Sequence, residues 1–254
     1  MTIPDLDRPT PPPPADKTPK MFGDGPISVF SNGIYRFLMI TLMMIAACLP
    51  TLLLLMWPAG IPEDAPPAIM MPALMVLFCI PLGPALSAGL YAMRAASTDE
   101  GLTPVRSFWR GYRLNWLAAL KVWVPPLLLL AVIATTITHS ELAGLGPMYI
   151  GTLTFVAALL LVWAHHALAL TTFFTFRYSD VYRLAMYCLM TQWRATTGVL
   201  AIAVLLGLAV YNFPVLAAVL GGVWVWFWWR NIQKMLLHIQ DRFTIPADTP
   251  ASGS

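Results

Sequence analysis

The chain has 254 residues, of which 58% are hydrophobic and 11% are charged, and its mean hydropathy is +0.70. Soluble domains carry about 25% charged residues, so this composition excludes a soluble globular protein. The net charge of +3 is too small to indicate a nucleic-acid partner. We therefore expect an all-α, polytopic membrane protein whose spanning helices are joined by short loops.

The first part of the chain is predicted to form a tail and two spans. Residues 1–30 contain the run Pro11–Pro14 and too few apolar side chains to order themselves, which indicates a disordered tail. The uncharged run Phe37–Trp57 has 21 residues and is long enough to cross a bilayer. Because about thirty polar residues precede it, we expect an uncleaved anchor rather than a signal peptide. The run Ala65–Met93 is the second span.

The next two apolar runs predict one span each. Leu114–Thr138 has Lys121 as its one charged residue, and a lysine near a helix end can extend its ammonium to the interface. Leu142–Phe176 has 35 residues without Asp, Glu, Lys or Arg, which one long tilted helix from about Met148 accommodates. These are the third and fourth spans.

The last apolar run predicts two short spans. Ala195–Trp229 also has 35 residues, but Asn212-Phe213-Pro214 interrupts it near its middle. The count is then six helices in a transmembrane domain of residues 31–243. Residues 244–254 are predicted to form a second disordered tail.

The basic residues predict the orientation, because Lys and Arg concentrate in cytoplasmic loops. In the six-span arrangement all 15 lie on one side, whereas the opposite loops carry Glu63, Asp64, His139 and Glu141 and no Lys or Arg. We therefore predict a bacterial inner-membrane protein with both termini in the cytoplasm. A five-span alternative would place the basic residues Arg230, Lys234 and Arg242 outside the cell, which the same rule disfavours.

Two cytoplasmic segments have the periodicity of interfacial amphipathic helices. Around residues 105–116, aromatic side chains share one face and three arginines recur on the adjacent face. After the sixth span, a second apolar face is formed by Ile232, Met235, Leu236, Ile239 and Phe243. The predicted lipid or partner contacts are Arg106, Trp109, Arg110, Tyr112, Arg113, Trp228 and Trp229.

His165 and His166 are ionisable residues that lie deep inside a predicted span. His166 is 11 residues from Arg177, which places the pair near mid-bilayer. Adjacent residues point about 100° apart on a helix, so the pair does not form a metal face. We expect uncharged hydrogen-bonding side chains, with a polar solute path and metal or proton handling as the alternatives.

The sequence offers no sign of catalysis or of a bound cofactor. Its three cysteines, Cys48, Cys79 and Cys188, are widely spaced in apolar segments, which indicates neither a disulfide framework nor a metal site. No HExxH or GxSxG motif occurs, and the predicted spans contain no Asp or Glu. We therefore expect no enzyme, no cofactor, no metal and no ion-coupled transporter.

Pro81 and Pro84 are predicted to break the second span. A broken helix exposes backbone groups that can bind a solute within the membrane. The alternative is a kink fixed by packing, and Ala85 and Gly89 favour it because their spacing permits close helix contact.

Three segments resemble the YesL family of small bacterial membrane proteins: residues 32–37 (NGIYRF), 83–94 (GPALSAGLYAMR) and 104–113 (PVRSFWRGYR). The resemblance covers roughly residues 30–243. It implies a helical membrane protein without an established activity, whose family members are often encoded beside carbohydrate ABC importers and polysaccharide-degrading enzymes.

The sequence and this resemblance lead to two hypotheses about function, which are of different kinds. The first is a non-catalytic accessory protein that contacts the permease subunits of a carbohydrate ABC importer as well as the lipid bilayer, and that can also form a homo-oligomer. The second is a facilitator that passes a small polar solute, such as a sugar, along His165, His166, Pro81 and Pro84. An ABC permease itself ranks third, because no EAA-type coupling segment is recognisable.

Overall fold

The computed structural model describes residues 26–49, 71–97 and 103–243, which form nine helices and no strands. The chain divides into two compact units, Met1–Tyr35 and Arg36–Ser254. The described part of the first unit is the beginning of helix α1. The helices are α1 (Pro26–Ala47), α2 (Met71–Leu77), α3 (Leu82–Ser97), α4 (Pro104–Thr138), α5 (Pro147–Phe173), α6 (Tyr178–Thr191), α7 (Trp193–Asn212), α8 (Pro214–Val219) and α9 (Gly221–Phe243).

Four helical segments are long and apolar enough to cross a membrane: Met71–Ala96, which comprises α2 and α3, then α4, α5 and α7. They correspond to the second to fifth predicted spans. The all-α, multi-pass prediction is confirmed at this level for the described residues.

The first predicted span is described only in part. Helix α1 contains a shorter apolar stretch, Gly33–Ala47, and residues 50–57 lie outside the described residues, as do 1–25 and 244–254 of the two predicted tails. Helix α1 begins at Pro26, within the last residues of the predicted tail 1–30. Proline suits the first position of a helix, where its missing N–H would have no partner anyway.

The sixth predicted span is a broken helix rather than a uniform one. Helix α8 ends at Val219 and α9 begins at Gly221, with Leu220 in a turn between them. The α9 backbone then lies against α1, because the Gly222 N–H donates to Thr41 Oγ1 at 2.8 Å. Helix α9 continues without a break past Arg230 to Phe243.

The structure corrects both predicted interfacial helices. Residues 105–113 do not form a separate helix, because α4 runs unbroken for 35 residues and includes them as its first turns. The apolar face after Arg230 does not lie on lipid, since Ile232, Met235 and Ile239 are buried in the protein core. A hydrophobic periodicity shows that a face is covered, but it does not show whether lipid or protein covers it.

Glycines let α3 and α4 pack closely as antiparallel neighbours. A Cβ on Gly83 would lie 2.6 Å from the Trp123 ring, and one on Gly111 would lie 2.7 Å from Tyr91 Cβ. Both distances are shorter than any normal carbon contact, so only glycine permits this spacing. These two contacts set how far α4 is shifted along α3, and they place Trp123 beside the break before α3.

Candidate functional site

The helix break before α3 is closed by a tryptophan of α4. Residues 78–81 form turns, and the Cys79 carbonyl accepts hydrogen bonds from the Leu82 N–H and from Trp123 Nε1, each at 3.1 Å. The backbone group that the break frees is therefore bonded within the protein. This observation favours the packing explanation of the Pro81–Pro84 segment.

Trp123 also connects the break to His165. The two rings meet edge to face with centroids 5.4 Å apart, and the His165 ring also meets the Trp228 ring at 5.1 Å. The structure thus brings three sequence-predicted features together: the break, one histidine and one tryptophan of the last helix. We call Trp123, His165 and Trp228 the Trp–His cluster.

The hydrogen bond of His165 defines its tautomer. Nδ1 lies 2.8 Å from the Leu161 carbonyl, which accepts only, so Nδ1 carries the proton. In an uncharged ring Nε2 then has a free lone pair. Within the described residues, no hydrogen bond reaches this atom.

His166 points to a different neighbour, as expected for adjacent helical residues. Its Nε2 lies 3.2 Å from Thr196 Oγ1, and the Thr196 hydroxyl donates to the Leu189 carbonyl at 3.3 Å. Nε2 is therefore the donor, and Nδ1 is an acceptor. This Nδ1 is buried without a partner among the described residues.

The two histidines lie nearer to the basic ends of the helices than their distance from Arg177 suggests. Their contact partners stand two residues from a basic residue in three helices: Trp123 from Lys121, Thr196 from Arg194, and Trp228 from Arg230. The reason is that α6 runs back along α5, where Tyr182 stacks on Trp163 at 5.1 Å.

Helix α6 is held to α4 and α5 by its tyrosine and by burial of one face. The Tyr182 hydroxyl donates to the Lys121 carbonyl at 3.0 Å, and Trp163 Nε1 donates to the Tyr182 carbonyl at 3.2 Å. Burial raises the pKa of Tyr182, and it raises the pKa of the Cys188 thiol to about 12. Neither group is therefore ionised near neutral pH.

The arginines predicted at the start of α4 lie on an exposed face. Arg106, Arg110 and Arg113 are exposed, and Trp109 is exposed beside them. Phe108 is fully buried and anchors this part of the helix. We call Arg106, Trp109, Arg110 and Arg113 the arginine face.

Three of the predicted contact residues are covered by protein. Trp228 and Trp229 are 3% and 9% exposed, and Trp229 packs on Phe173 with centroids 5.3 Å apart. Tyr112 is half-buried and stacks on Phe108. The two tryptophans predicted as lipid or partner contacts thus lie in the protein core, because α9 places this part of its length there.

Sequence reasoning missed a buried polar contact between α3 and α5. Ser87 Oγ and Thr172 Oγ1 are 2.8 Å apart, and Thr172 also donates to the Leu168 carbonyl. Asn115 of α4 donates to the Thr172 carbonyl at 3.4 Å. No pattern in the sequence marks these residues, since Ser and Thr in spans commonly bond only to their own helix.

No group of three or more His, Cys, Asp and Glu side chains that could hold a metal ion occurs among the described residues. A shallow cleft of about 340 Å³ lies on α6 and the segment before it, lined by Phe176, Asp180, Arg183, Leu184 and Tyr187. None of the residues that line this cleft belongs to the Trp–His cluster.

Residues 37–137 match the model of a family described as "Protein of unknown function, DUF624". YesL-like proteins belong to this family, so the resemblance drawn from the three motifs is confirmed. We call residues 37–137, which are similar to this family, the DUF624 segment. No curated protein and no solved structure matches the chain.

The DUF624 segment contains the arginine face, the break before α3 and Trp123. His165, His166 and Trp228 lie beyond its end. The Trp–His cluster therefore joins a residue of the DUF624 segment to residues of the C-terminal helices.

Proposed function

We propose that this protein is a non-catalytic accessory protein of the bacterial inner membrane that docks a partner through its arginine face. The favoured partner is the permease of a carbohydrate ABC importer, which the resemblance to YesL proteins suggests. The observation that carries the proposal is the exposure of the arginine face at the start of a rigid spanning helix.

The length of α4 supports a docking role for this face. At about 1.5 Å per residue, its 35 residues extend about 52 Å, whereas the hydrocarbon layer is about 30 Å thick. Roughly 20 Å of helix therefore extends beyond the hydrocarbon when the helix stands upright. The arginine face lies within these first turns, within reach of a protein in the cytoplasm.

The start of α4 is also held in place before any partner binds. Gly111 lies against Tyr91 of α3, and Phe108 is fully buried. A preorganised surface loses less conformational entropy on binding than a mobile one. Arginine and tryptophan are moreover enriched among the residues that dominate binding energy at protein interfaces.

We propose six spans with both termini in the cytoplasm. The support is that Asn231 Nδ2 donates to the Ala195 carbonyl at 2.8 Å, so the chain returns beside the start of α7 after passing through α8. Helices α7 and α8–α9 then form a hairpin that begins and ends at the same side. The first and sixth spans belong to this proposal.

The test is affinity purification of the full-length protein from its native membrane, combined with sugar uptake. The variant Arg106→Gln/Arg110→Gln/Arg113→Gln is expected to lose the permease subunits and to reduce uptake. The matched control Arg177→Gln/Arg183→Gln/Arg194→Gln removes the same charge from other exposed positions and should retain both. Recovery of no permease subunit, together with normal uptake in the first variant, would reject the proposal.

A second candidate is a facilitator for a small polar solute. The observation that favours it is the direct contact of His165 with Trp123, the residue that closes the Pro81–Pro84 break. Purified protein in liposomes should then show solute-selective flux that His165→Leu abolishes. Absence of flux for sugars and polyols would leave the accessory function as the better proposal.

A further inference from the structure

The Trp228 side chain has a buried donor without an acceptor. It is 3% exposed, and its Nε1 forms no hydrogen bond among the described residues. A buried donor left unpaired costs about 1–3 kcal/mol, and most such groups in proteins are paired with protein or ordered water. Trp224, one turn earlier on α9, has the same unpaired buried Nε1.

The His165 ring, which Trp228 contacts, has a hydrogen-bond acceptor, Nε2, to which no group among the described residues donates. The His165 and Trp228 centroids are 5.1 Å apart at an interplanar angle of 69°. His165 uses Nδ1 to bond the Leu161 carbonyl, which leaves the Nε2 lone pair. One oxygen that bonds to two nitrogens spans up to about 6 Å between them, and two rings in direct contact can each hold one nitrogen within that separation.

We propose that His165 and Trp228 form a binding site for a hydroxyl group, supplied by water or by a small neutral polyol. The hydroxyl oxygen accepts from Trp228 Nε1–H, and the hydroxyl proton is donated to His165 Nε2. The inference deepens the facilitator candidate and rests on the same cluster, although binding does not require transport.

The chemistry of the two groups selects a neutral hydroxyl over an ion. An anion could accept from the tryptophan but has no proton for the histidine, and a metal cation could use the histidine but not the indole N–H. A hydroxyl group serves both.

Trp123 supplies an apolar wall to this site. Its ring meets His165 at 82°, and its own Nε1 is already bonded to the Cys79 carbonyl. The Trp123 N–H is therefore not available to the ligand. The internal control for the experiment is Trp163, which is not part of the Trp–His cluster and whose Nε1 is bonded to the Tyr182 carbonyl.

The experiment measures indole N–H resonances of the full-length protein, labelled with ¹⁵N-tryptophan, in lipid nanodiscs. The Trp228 signal is assigned by its loss in Trp228→Phe, and glycerol is titrated from 0 to about 50 mM. If the site binds a polyol, we expect the Trp228 signal to shift saturably as glycerol is added. If it holds water, we expect a cross-peak between the Trp228 signal and water that glycerol does not change. The Trp163 signal should not move in either case.

The variant His165→Phe keeps a ring in contact with Trp228 but removes the acceptor. It is expected to abolish the water cross-peak, or to weaken glycerol binding at least tenfold, while the Trp163 signal reports an intact fold. If His165→Phe does not fold, Trp224→Phe serves as the second variant, and the Trp228 response should persist in it. The alternative is that the Trp228 N–H points at the face of the His165 ring, which would shift its signal upfield. Such a shift, with no water cross-peak and no response to glycerol, would overturn the proposal.

Failure of this proposal is distinguishable from failure of the facilitator function. Liposome flux without a Trp228 response would place the solute path elsewhere. A Trp228 response without flux would leave a binding site in a protein that does not transport.

Discussion

At the scale of single residues, two glycines of the DUF624 segment determine how α3 meets α4. Gly83 faces the base of the Trp123 side chain, with Trp123 Cβ only 2.9 Å from where a glycine Cβ would lie, so the indole cannot yield by rotating its far end. Trp123 in turn closes the helix break through Cys79. A methyl group at residue 83 therefore disturbs both the packing and the closure of the break.

We expect Gly83→Ala to lower the stability of the detergent-purified protein by about 1–3 kcal/mol, the usual cost of overpacking. Gly207→Ala is the matched control, because nothing lies within 4 Å of its added Cβ. Alanine in a helix interior is favoured over glycine by about 0.5–1 kcal/mol, so the control should be neutral or slightly stabilising. Equal melting temperatures for the two variants would contradict the close approach of α3 and α4.

Cys188 gives a second prediction at this scale. Its thiol is fully buried on α6, and burial raises its pKa to about 12 from 9.0. Because the thiolate is the reactive form, alkylation at pH 8 should be about a thousandfold slower than for an exposed thiol of ordinary pKa. In a Cys48→Ala/Cys79→Ala background, maleimide labelling of the folded protein is the measurement.

The matched control for Cys188 is the exposed neighbour Met190 replaced by cysteine. Met190→Cys should label rapidly in the folded protein, and Cys188 should label only after denaturation in SDS. The folded-state pKa lies above the unfolded value, so this thiol favours the folded state below about pH 9 and disfavours it progressively above.

At the scale of elements, hydrogen bonds and glycine contacts attach α9 to its neighbours. Asn231 donates to the Ala195 carbonyl and occupies the space that Gly198 leaves open on α7. Gly222 donates to Thr41 of α1. These two contacts explain why a helix with several charged residues lies with one face in the core.

We expect Asn231→Ala to destabilise the protein by about 0.6–1.7 kcal/mol, which are the average and the maximum for hydrogen bonds between membrane helices. Asn212→Ala is the matched control, since Asn212 Nδ2 bonds only to the Leu208 carbonyl of its own helix. The measurement is thermal unfolding in detergent. A larger loss in the control than in Asn231→Ala would contradict the α7–α9 contact.

At the scale of the whole molecule, the proposed topology can be tested with exposed positions at opposite ends of the spans. Met235 is buried and unsuitable as a probe, whereas Leu237 and Leu142 are exposed. In a cysteine-free background, Leu237→Cys should react with an impermeant maleimide only after the cells are opened. Leu142→Cys should react in intact spheroplasts. Labelling of Leu237→Cys from outside would reject the six-span arrangement.

The sequence by itself determined the class of the protein and the positions of most of its helices. Uncharged runs of sufficient length cannot be placed in water, and backbone groups within a bilayer must be bonded within a helix. These two constraints are local, so they located α2–α3, α4, α5 and α7 without any knowledge of the fold. The motifs pointed to the family for a similar reason, since they are short and contiguous, and residues 83–94 and 104–113 lie within the DUF624 segment.

Only the tertiary structure decided which faces are covered and by what. The periodicity of residues 232–239 is the same whether lipid or protein lies against it, and the structure places it in the core. The contact of Trp123 with His165 joins helices α4 and α5 at residues 42 positions apart in the chain. Such contacts depend on the glycine approaches and hydrogen bonds between helices, which no single segment encodes. For that reason the sequence singled out His165, Trp228 and the Pro81–Pro84 segment separately, but it could not show that Trp123 and His165 connect them.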